Sequence, residues 1–271
     1  MLKKFIFFFI ISTLFLIQNP SQAQEKIALS IYGDANYPPY SFYQDGRMQG
    51  LYTEIIQAIA NEMSDFDIKI EPLPWKRGLK QLEEGSIFAL YPPYYRPKER
   101  PFIYAYSLPL FQEEIVLYCS QTTLDSHKNL KDWPEDYKGL VISNQLGFLT
   151  PYNNPKAKVL IESGQIKIKE YKTIEDNLLA LDKEANCHIN DKLAIIDALN
   201  SKKPHIKNVF KNLKYTCTAA FESGHLAITK QNSKTFYFRD DFLKIFNKKL
   251  SELKNKPQWQ EILNKYLTIE E

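Results

Sequence analysis

Apolar residues in the first third of the chain alternate between the spacing of strands and that of helices. Residues 27–33 form a short apolar run typical of a buried strand, and apolar positions in 51–63 recur every three or four residues, as on one helical face. Residues 66–71 alternate apolar and polar as a strand does, and 75–83 predict a second helix. The apolar run 87–91, ended by two prolines, indicates a strand buried on both faces of a parallel sheet. The predicted order is β-α-β-α-β.

The same order is predicted a second time further along the chain. Its elements are a strand at 140–143, a helix at 156–162, a strand at 166–169, a helix at 173–184 and a strand at 187–189. Extended residues at 114–119 and 215–230 join the two parts, and two amphipathic helices at 236–254 and 259–266 follow. The pattern therefore predicts an α/β protein of two lobes, each a mostly parallel sheet flanked by helices.

The lobes are expected to comprise residues 24–115 with 224–271, and residues 116–223. Because the chain passes between them twice, at 114–120 and 221–228, we expect a double hinge. In open α/β sheets, ligands bind beyond the carboxyl ends of the strands. The sequence therefore predicts a ligand cleft between the lobes, lined by the loops that follow the strands.

The N-terminal residues have the pattern of a secretory signal peptide. Lys3 and Lys4 precede an apolar run of 13 residues at 5–17, and small residues at 21 and 23 suit cleavage after Ala23. The run is shorter than the ~20 residues of a membrane-spanning helix, which leaves an uncleaved anchor as the alternative. Residues 1–23 are thus predicted to be removed, and the mature protein to be periplasmic.

The charge of the chain excludes one class of partner. The sequence has 35 Lys and Arg against 32 Asp and Glu, and removal of Lys3 and Lys4 leaves 33 basic residues. A nearly neutral chain lacks the basic surface that nucleic acid requires, and export also argues against nucleic-acid binding.

Residue types that hold metals or carry out catalysis are not arranged in known motifs. The four histidines have no ligand spacing, so neither a metal nor a cofactor is expected. The absence of a nucleophile elbow, a phosphate loop or a dinucleotide-binding motif argues against an enzyme. Cys119, Cys187 and Cys217 allow three disulfide pairings or three buried thiols, and the sequence does not choose between them.

Several side chains that suit ligand binding follow predicted strands. Only five residues are arginine, and Arg77, Arg96 and Arg100 lie close together in the chain. A guanidinium binds a carboxylate in a planar, bidentate manner that lysine does not match, so Arg100 is a candidate anchor, whereas Arg77 and Arg96 fit surface charges better.

Asp191 either accepts a hydrogen bond from a ligand amine or caps the next helix. Aromatic residues in or beside the same loops favour a ligand with a flat, apolar or cationic part; they are Tyr37, Tyr40, Phe42, Trp75, Tyr91, Tyr94 and Tyr95.

Four segments of the chain together resemble those of a known family. They are Tyr-Pro-Pro-Tyr-Ser-Phe at 37–42, Pro-Trp-Lys-Arg at 74–77, Tyr-Pro-Pro-Tyr-Tyr-Arg-Pro-Lys-Glu-Arg at 91–100 and Cys-His-Ile-Asn-Asp at 187–191. In these segments the chain is similar to the family 3 extracellular solute-binding proteins, type II periplasmic binding proteins best known as amino-acid receptors of ABC importers. The resemblance extends over 27–268. It implies a monomeric periplasmic receptor that captures a small carboxylate-bearing ligand and serves an inner-membrane ABC permease.

The resemblance also implies roles for individual residues. Arg100 would grip the ligand carboxylate, Tyr37 would cover the ligand side chain, and Asp191 would bind an α-amino group. The chain has Pro92, Pro93 and Tyr95, and Gly-Phe-Leu at 147–149, where amino-acid receptors usually carry Ser or Thr hydroxyl groups. Backbone N–H groups around Gly147, at a helix N-terminus, are the expected substitute for those hydroxyls. The full set of expected ligand-binding residues is Tyr37, Tyr40, Trp75, Tyr91, Pro92, Arg100, Asn144, Gly147, Phe148 and Asp191.

Two other functions are compatible with the same fold. One is an enzyme resembling cyclohexadienyl dehydratase, which suits an aromatic pocket with an arginine for a carboxylate. The other is a sensor or scavenger that presents its ligand to a membrane receptor other than an ABC permease.

Overall fold

The structure is a computed structural model that describes residues 25–181, 183–200 and 212–267. The predicted signal peptide, residues 1–23, lies outside the described residues. Within the three described ranges, no helix is long and apolar enough to cross a membrane.

The described residues form two five-stranded sheets, of which the first is built mainly from the N-terminal part of the chain. Its strands are β1 (Ile27–Asp34), β5 (Phe66–Leu73), β6 (Ala89–Tyr91), β7 (Ile103–Tyr106) and β13 (Ala227–Thr229), in the order β5-β1-β6-β13-β7. Strand β1 is parallel to β5 and β6, whereas β13 is antiparallel to β6 and β7. A small meander of β2 (Asn36–Tyr37), β3 (Ser41–Gln44) and β4 (Arg47–Gln49) follows β1.

Helices with apolar faces cover this sheet. Helix α1 (Leu51–Asn61) buries the residues that recur at helical spacing, and α2 (Trp75–Glu84) ends where Gly85 adopts a left-handed conformation. The C-terminal helices α7 (Arg239–Leu253) and α8 (Pro257–Leu267) pack against α1. Buried aromatic rings join α7 to the sheet region, since the centroid of Phe242 lies 5.2 Å from that of Phe66.

The second sheet has its strands in the order β10-β9-β11-β8-β12. They are β8 (Phe111–Ser120), β9 (Val141–Gln145), β10 (Lys167–Tyr171), β11 (Cys187–Asp191) and β12 (Leu213–Gly224). The helices of this part are α3 (Gln121–Ser126), α4 (Pro155–Glu162), α5 (Ile174–Leu179) and α6 (Lys192–Asn200). The α/β fold of two sheets flanked by helices is confirmed.

The chain passes between the two sheets at 107–110 and at 225–226. Strands β8 and β12 are antiparallel partners over their whole lengths, from Leu213 opposite Ser120 to Gly224 opposite Phe111. The ranges predicted as hinges therefore lie within or beside a paired two-stranded ribbon of the second sheet. The lobe boundaries and the hinge motion stay predictions.

Two predicted elements are longer than the observed ones. The strand predicted at 87–91 is regular only over Ala89–Tyr91. The helix predicted at 173–184 was wrong beyond Leu179, because the carbonyl of Ala180 accepts hydrogen bonds from the N–H groups of Lys183, Glu184 and Ala185 and so closes a turn.

A disulfide links the central strand of the second sheet, β11, to its neighbour β8. Cys119 and Cys187 are register partners on antiparallel β8 and β11, which brings their Cα atoms to 4.0 Å. Cys217 is a free, buried thiol. Of the pairings that the sequence allows, the structure thus selects one.

Candidate functional site

A cleft with an empty volume of about 360 Å³ lies at the carboxyl ends of β1, β6 and β9. This is the position at which open α/β sheets bind ligands. The wall is mostly apolar and aromatic, with three charged side chains. Its residues are Asp34, Tyr37, Trp75, Pro92, Tyr94, Arg96, Arg100, Phe148, Leu149 and Thr150.

The cleft wall contains two cationic side chains, Arg96 and Arg100. Arg100 forms no ion pair with any described residue. It is only 6% exposed, and its guanidinium carbon lies 5.3 Å from the centroid of the Trp75 ring. Burial lowers the pKa of Arg100 to about 10, so the side chain is still charged at neutral pH. A buried cation that stacks on an aromatic ring is suited to bind an anion.

Asp34, the last residue of β1, supplies an acidic group to the same cleft. Its Oδ1 accepts a hydrogen bond of 3.0 Å from the backbone N–H of Asn36, whereas its buried Oδ2 has no partner among the described residues. Burial raises the pKa of Asp34 to about 7. The unpartnered oxygen is therefore an acceptor available to a ligand donor.

Aromatic side chains close the cleft from both sheets. The Phe148 ring, from the loop after β9, meets the rings of Tyr37 and Trp75 edge-on, at centroid distances of 5.4 and 5.9 Å. The indole N–H of Trp75 donates a 3.3 Å hydrogen bond to the carbonyl of Gly147. These contacts join the two sides of the cleft.

A second bridge across the cleft is polar. The Nη2 atom of Arg96 lies 2.6 Å from Oε1 of Glu222 on β12 and also donates to the side chain of Asn153. The amide of Asn153 donates a 2.5 Å hydrogen bond to the same Glu222 oxygen. Arg96 is thus held in a three-residue latch and is not the free surface charge that the sequence favoured.

Behind the wall lies a buried carboxylate surrounded by tyrosines. Glu113 on β8 is 1% exposed and accepts hydrogen bonds from the hydroxyls of Tyr37, Tyr52 and Tyr94, the last at 2.5 Å. Burial and the nearby Asp191 raise the pKa of Glu113 to about 8. Tyr37 and Tyr94 line the cleft, so Glu113 is connected to the ligand space through their hydroxyls.

In the described ranges, no three His, Cys, Asp or Glu side chains are grouped so that they could hold a metal ion.

Comparisons with known proteins agree with this geometry. The family model for bacterial extracellular solute-binding proteins, family 3, matches residues 29–269. The chain belongs to this family. No curated protein matches the sequence.

Solved structures share the fold of this family 3 protein at low sequence identity. A mutant of ArgBP from T. maritima is 20% identical with a TM-score of 0.68, covering 89% of this chain and 95% of that one. GshT of the glutathione import system of Streptococcus mutans is 17% identical with a TM-score of 0.72, covering 90% and 95%. The ancestral amino acid-binding protein AncCDT-1, a precursor of cyclohexadienyl dehydratase, is 17% identical with a TM-score of 0.66, covering 88% and 92%.

In this family 3 protein, five of the residues predicted to bind ligand lie together in the cleft wall. They are Tyr37, Trp75, Pro92, Arg100 and Phe148. Tyr40 and Tyr91 are instead buried away from it. The Tyr40 ring is stacked between those of Tyr37 and Tyr52, and the Tyr91 hydroxyl lies 2.9 Å from that of Thr53.

Asn144 and Asp191 support the wall from outside it. The amide of Asn144 donates a 2.8 Å hydrogen bond to the carbonyl of Phe148 and so fixes the loop that carries this ring. Asp191 accepts a 3.0 Å hydrogen bond from the N–H of Ala194 at the start of α6, which is the cap that its position also predicts. Neither residue lines the cleft.

The structure does not place Gly147 at the start of an α-helix, since a short 3-10 helix begins at Thr150 and α4 begins at Pro155 with Asn154 as its cap. The N–H of Gly147 donates a 3.2 Å hydrogen bond to the side chain of Glu170, and the anion site expected around Gly147 stays a prediction. Gly147 contributes its carbonyl to Trp75.

The sequence assigned no ligand-binding role to Asp34 or Glu113. Asp34 directly follows the first predicted strand, 27–33, so its position at the cleft follows from the rule that selected the other residues. Glu113 and Glu114 precede an apolar run as a pair, and nothing in the sequence says which of them points inward.

Proposed function

We propose that this family 3 solute-binding protein is a periplasmic receptor that binds a small ligand carrying a carboxylate and an amine, such as an amino acid, for ABC import. The observation that carries the proposal is the buried Arg100 guanidinium, which faces the cleft without an acidic partner.

Arg100 is suited to the carboxylate for physical reasons. A buried, unpaired charge is unfavourable, and an anionic ligand removes that penalty. The Arg100 guanidinium carbon lies 5.3 Å from the centroid of the Trp75 ring, and a guanidinium offers paired N–H groups that match the two oxygens of a carboxylate. The Ser or Thr hydroxyl groups that usually help in this task are absent from 92–95, so Arg100 would carry most of the binding energy for the carboxylate.

Asp34 is the best partner for the ligand amine. It lines the same cleft as Arg100, and its Oδ2 is a buried acceptor without a partner. Asp191, to which the family resemblance gives this role, does not line the cleft; its Oδ1 caps α6, and its Oδ2, like that of Asp34, has no partner among the described residues. A zwitterionic ligand would therefore lie between Arg100 and Asp34, beside the Tyr37, Trp75 and Phe148 rings.

Transport and localisation extend the proposal. The family name describes extracellular proteins, and residues 1–23 have the pattern of a signal peptide. We propose that two lobes, 24–115 with 224–271 and 116–223, open and close around the ligand as a monomer, and that an ABC permease receives it. A sensor or scavenger would use the same cleft with another membrane partner.

One observation favours a second function. Asp34, whose pKa burial raises to about 7, lies in the cleft with Arg100, and a carboxyl group with such a pKa suits general acid–base catalysis. An enzyme resembling cyclohexadienyl dehydratase is therefore the second candidate. Prephenate consumption by the purified protein, followed by absorbance and abolished in Asp34→Asn, would establish it.

The receptor proposal is tested by thermal unfolding against a panel of compounds. The protein is unfolded and refolded to remove bound ligand, then mixed with amino acids, aromatic acids, polyamines and short peptides. A ligand at 100 times its Kd adds about 2.7 kcal/mol to the free energy of unfolding. Stabilisation by carboxylate-bearing amines, but not by the same compounds as amides, is expected.

A matched variant separates the site from general effects. Arg100→Ala should abolish the stabilisation, whereas Arg77→Ala, an exposed arginine of α2, should retain it. A folded protein that no carboxylate-bearing compound stabilises would overturn the proposal.

A further inference from the structure

Around the cleft, buried acidic side chains outnumber buried basic ones. Asp34, Glu113 and Asp191 are each about 1% exposed, and among the described residues none of them forms an ion pair. Arg100 is the unpaired buried cation beside them. A ligand with one carboxylate and one amine is compensated by Arg100 and Asp34. Glu113 and Asp191 are then left without a counter-charge.

The groups that face Glu113 are all acidic or neutral. They are Asp191 on β11, Tyr52 on α1, Tyr37 on β2, Tyr40 in the loop after β2 and Tyr94 in the loop after β6. Two carboxyl groups in this surrounding hold a proton in the absence of another cation. A cation that enters from the cleft would displace that proton.

The hydroxyls of Tyr37 and Tyr94 connect this cluster to the cleft. Both donate to Glu113, and their oxygens lie 3.3 Å apart. A hydroxyl whose hydrogen is directed to a carboxylate presents only its lone pairs to other groups. Because Tyr37 and Tyr94 both line the cleft, their two oxygens form an acceptor pair between the cleft wall and the Glu113 carboxyl group.

We propose that Glu113 is a positioning residue for specificity: through Tyr37 and Tyr94 it creates a subsite for a second cationic group, an ammonium or a guanidinium, on the ligand. This rests on the proposed function, since Arg100 and Asp34 hold the other end. The ligand class is then an amino acid with a basic side chain.

Two pairs of nearly isosteric probes test the subsite by calorimetric titration. L-ornithine and L-norleucine differ by an ammonium in place of a methyl group, and L-arginine and L-citrulline by a guanidinium in place of a urea. At about pH 8, the cationic member of at least one pair should bind roughly tenfold more tightly than its neutral partner. The ratio should fall at about pH 6, where the cation has to displace a proton from the cluster.

Substitutions show whether Glu113 is the cause. Glu113→Gln should lower the ratio of the two affinities by about tenfold, and Tyr94→Phe, which leaves Glu113 in place, should lower it in the same direction. Glu114→Gln should keep it, because Glu114 is half-exposed and pairs with Lys192 at 3.3 Å. A ratio of affinities, unlike a single affinity, does not change when a variant merely reduces the folded fraction.

The outcomes separate the two proposals. If the neutral probes bind as tightly as the cationic ones, or if Glu113→Gln keeps the wild-type ratio, the subsite is overturned and the receptor proposal stands. If no carboxylate-bearing compound binds at all, both fail.

Discussion

Arg100 is a buried cation without an acidic partner, and such a side chain lowers the stability of the ligand-free protein. Functional sites commonly carry this kind of cost, because the group that destabilises the free protein is the one that binds the ligand. Asp34 and Glu113 have the same character with the opposite sign. The cleft is therefore the place where stability and binding should respond in opposite directions to substitution.

Arg100→Met tests this opposition, since it keeps much of the volume and removes the charge. The free energy of unfolding of the ligand-free protein should be unchanged or higher, whereas ligand affinity should fall about 10- to 100-fold with the loss of charge-assisted hydrogen bonds. Urea unfolding and calorimetric titration measure the two quantities, with exposed Arg77→Met as the control. A variant that is destabilised but binds normally would show that Arg100 has a structural role instead.

The pH dependence of stability follows from the acidic groups. Burial raises the pKa of Asp34 to about 7 and that of Glu113 to about 8. The folded protein therefore binds protons that the unfolded chain releases, so the free energy of unfolding of the ligand-free protein should fall as pH rises from about 4 to about 8, and then level off. Urea unfolding at several pH values measures the slope. Glu113→Gln should make it shallower and Glu114→Gln should not; a wild-type slope in Glu113→Gln would contradict the assignment.

The burial of Glu113 could not be predicted from the local sequence. In a strand that alternates, a polar face identifies the solvent side. Strand β8 alternates only weakly, since Glu113 shares a face with the buried Ile115 and Leu117 but Val116 on the opposite face is buried as well. Which of Glu113 and Glu114 is buried depends on what packs against each face, and that is known only from the folded structure. Arg100 was predictable because it follows a strand end in a chain with few arginines.

At the scale of elements, the long periodic segments were predictable and their ends were not. Helix α1 repeats an apolar face over three turns, and β5 alternates in register with β1, so local patterns define both. The end of α5 depends on the Ala180 carbonyl, which binds three N–H groups of the following turn. Strand β12 is defined by its pairing with β8, about 100 residues earlier in the chain. Contacts between residues so far apart cannot be predicted from local sequence patterns.

Helix α2 provides a test of an element boundary. Gly85 ends it with φ of 72°, and a Cβ atom there would lie 2.4 Å from Cβ of Gln231. Gly85→Ala should lower the free energy of unfolding by the roughly 1–2 kcal/mol of a left-handed non-glycine residue and by more for the clash. Gly164→Ala is the matched control, because Gly164 has φ of 75° but open space around its Cβ position. Equal losses in urea unfolding would show that the Gln231 contact does not matter.

At the scale of the whole molecule, two bridges that differ in chemistry join the sides of the cleft. Trp75, Tyr37 and Phe148 form the aromatic bridge, which lines the cleft. Arg96, Asn153 and Glu222 form the polar latch, and Glu222 and Asn153 do not line the cleft. The sequence could not predict the latch, because its three members come from segments far apart in the chain. A receptor that opens and closes should use such a latch to set the population of its closed form.

Glu222→Gln tests the latch without changing a residue of the cleft wall. It keeps the shape and removes the charge that Arg96 and Asn153 share at 2.6 and 2.5 Å. If closure precedes tight binding, a smaller closed population weakens the apparent affinity by the same factor, and we expect about tenfold, mainly through faster dissociation. Small-angle scattering of the ligand-free variant should show a larger radius of gyration than wild type, and saturating ligand should remove the difference.

Glu83→Gln, at an exposed position of α2, should change neither quantity. Tighter binding by Glu222→Gln would contradict the latch, since it would mean that the released Arg96 turns to the ligand and acts as a second anchor for its carboxylate.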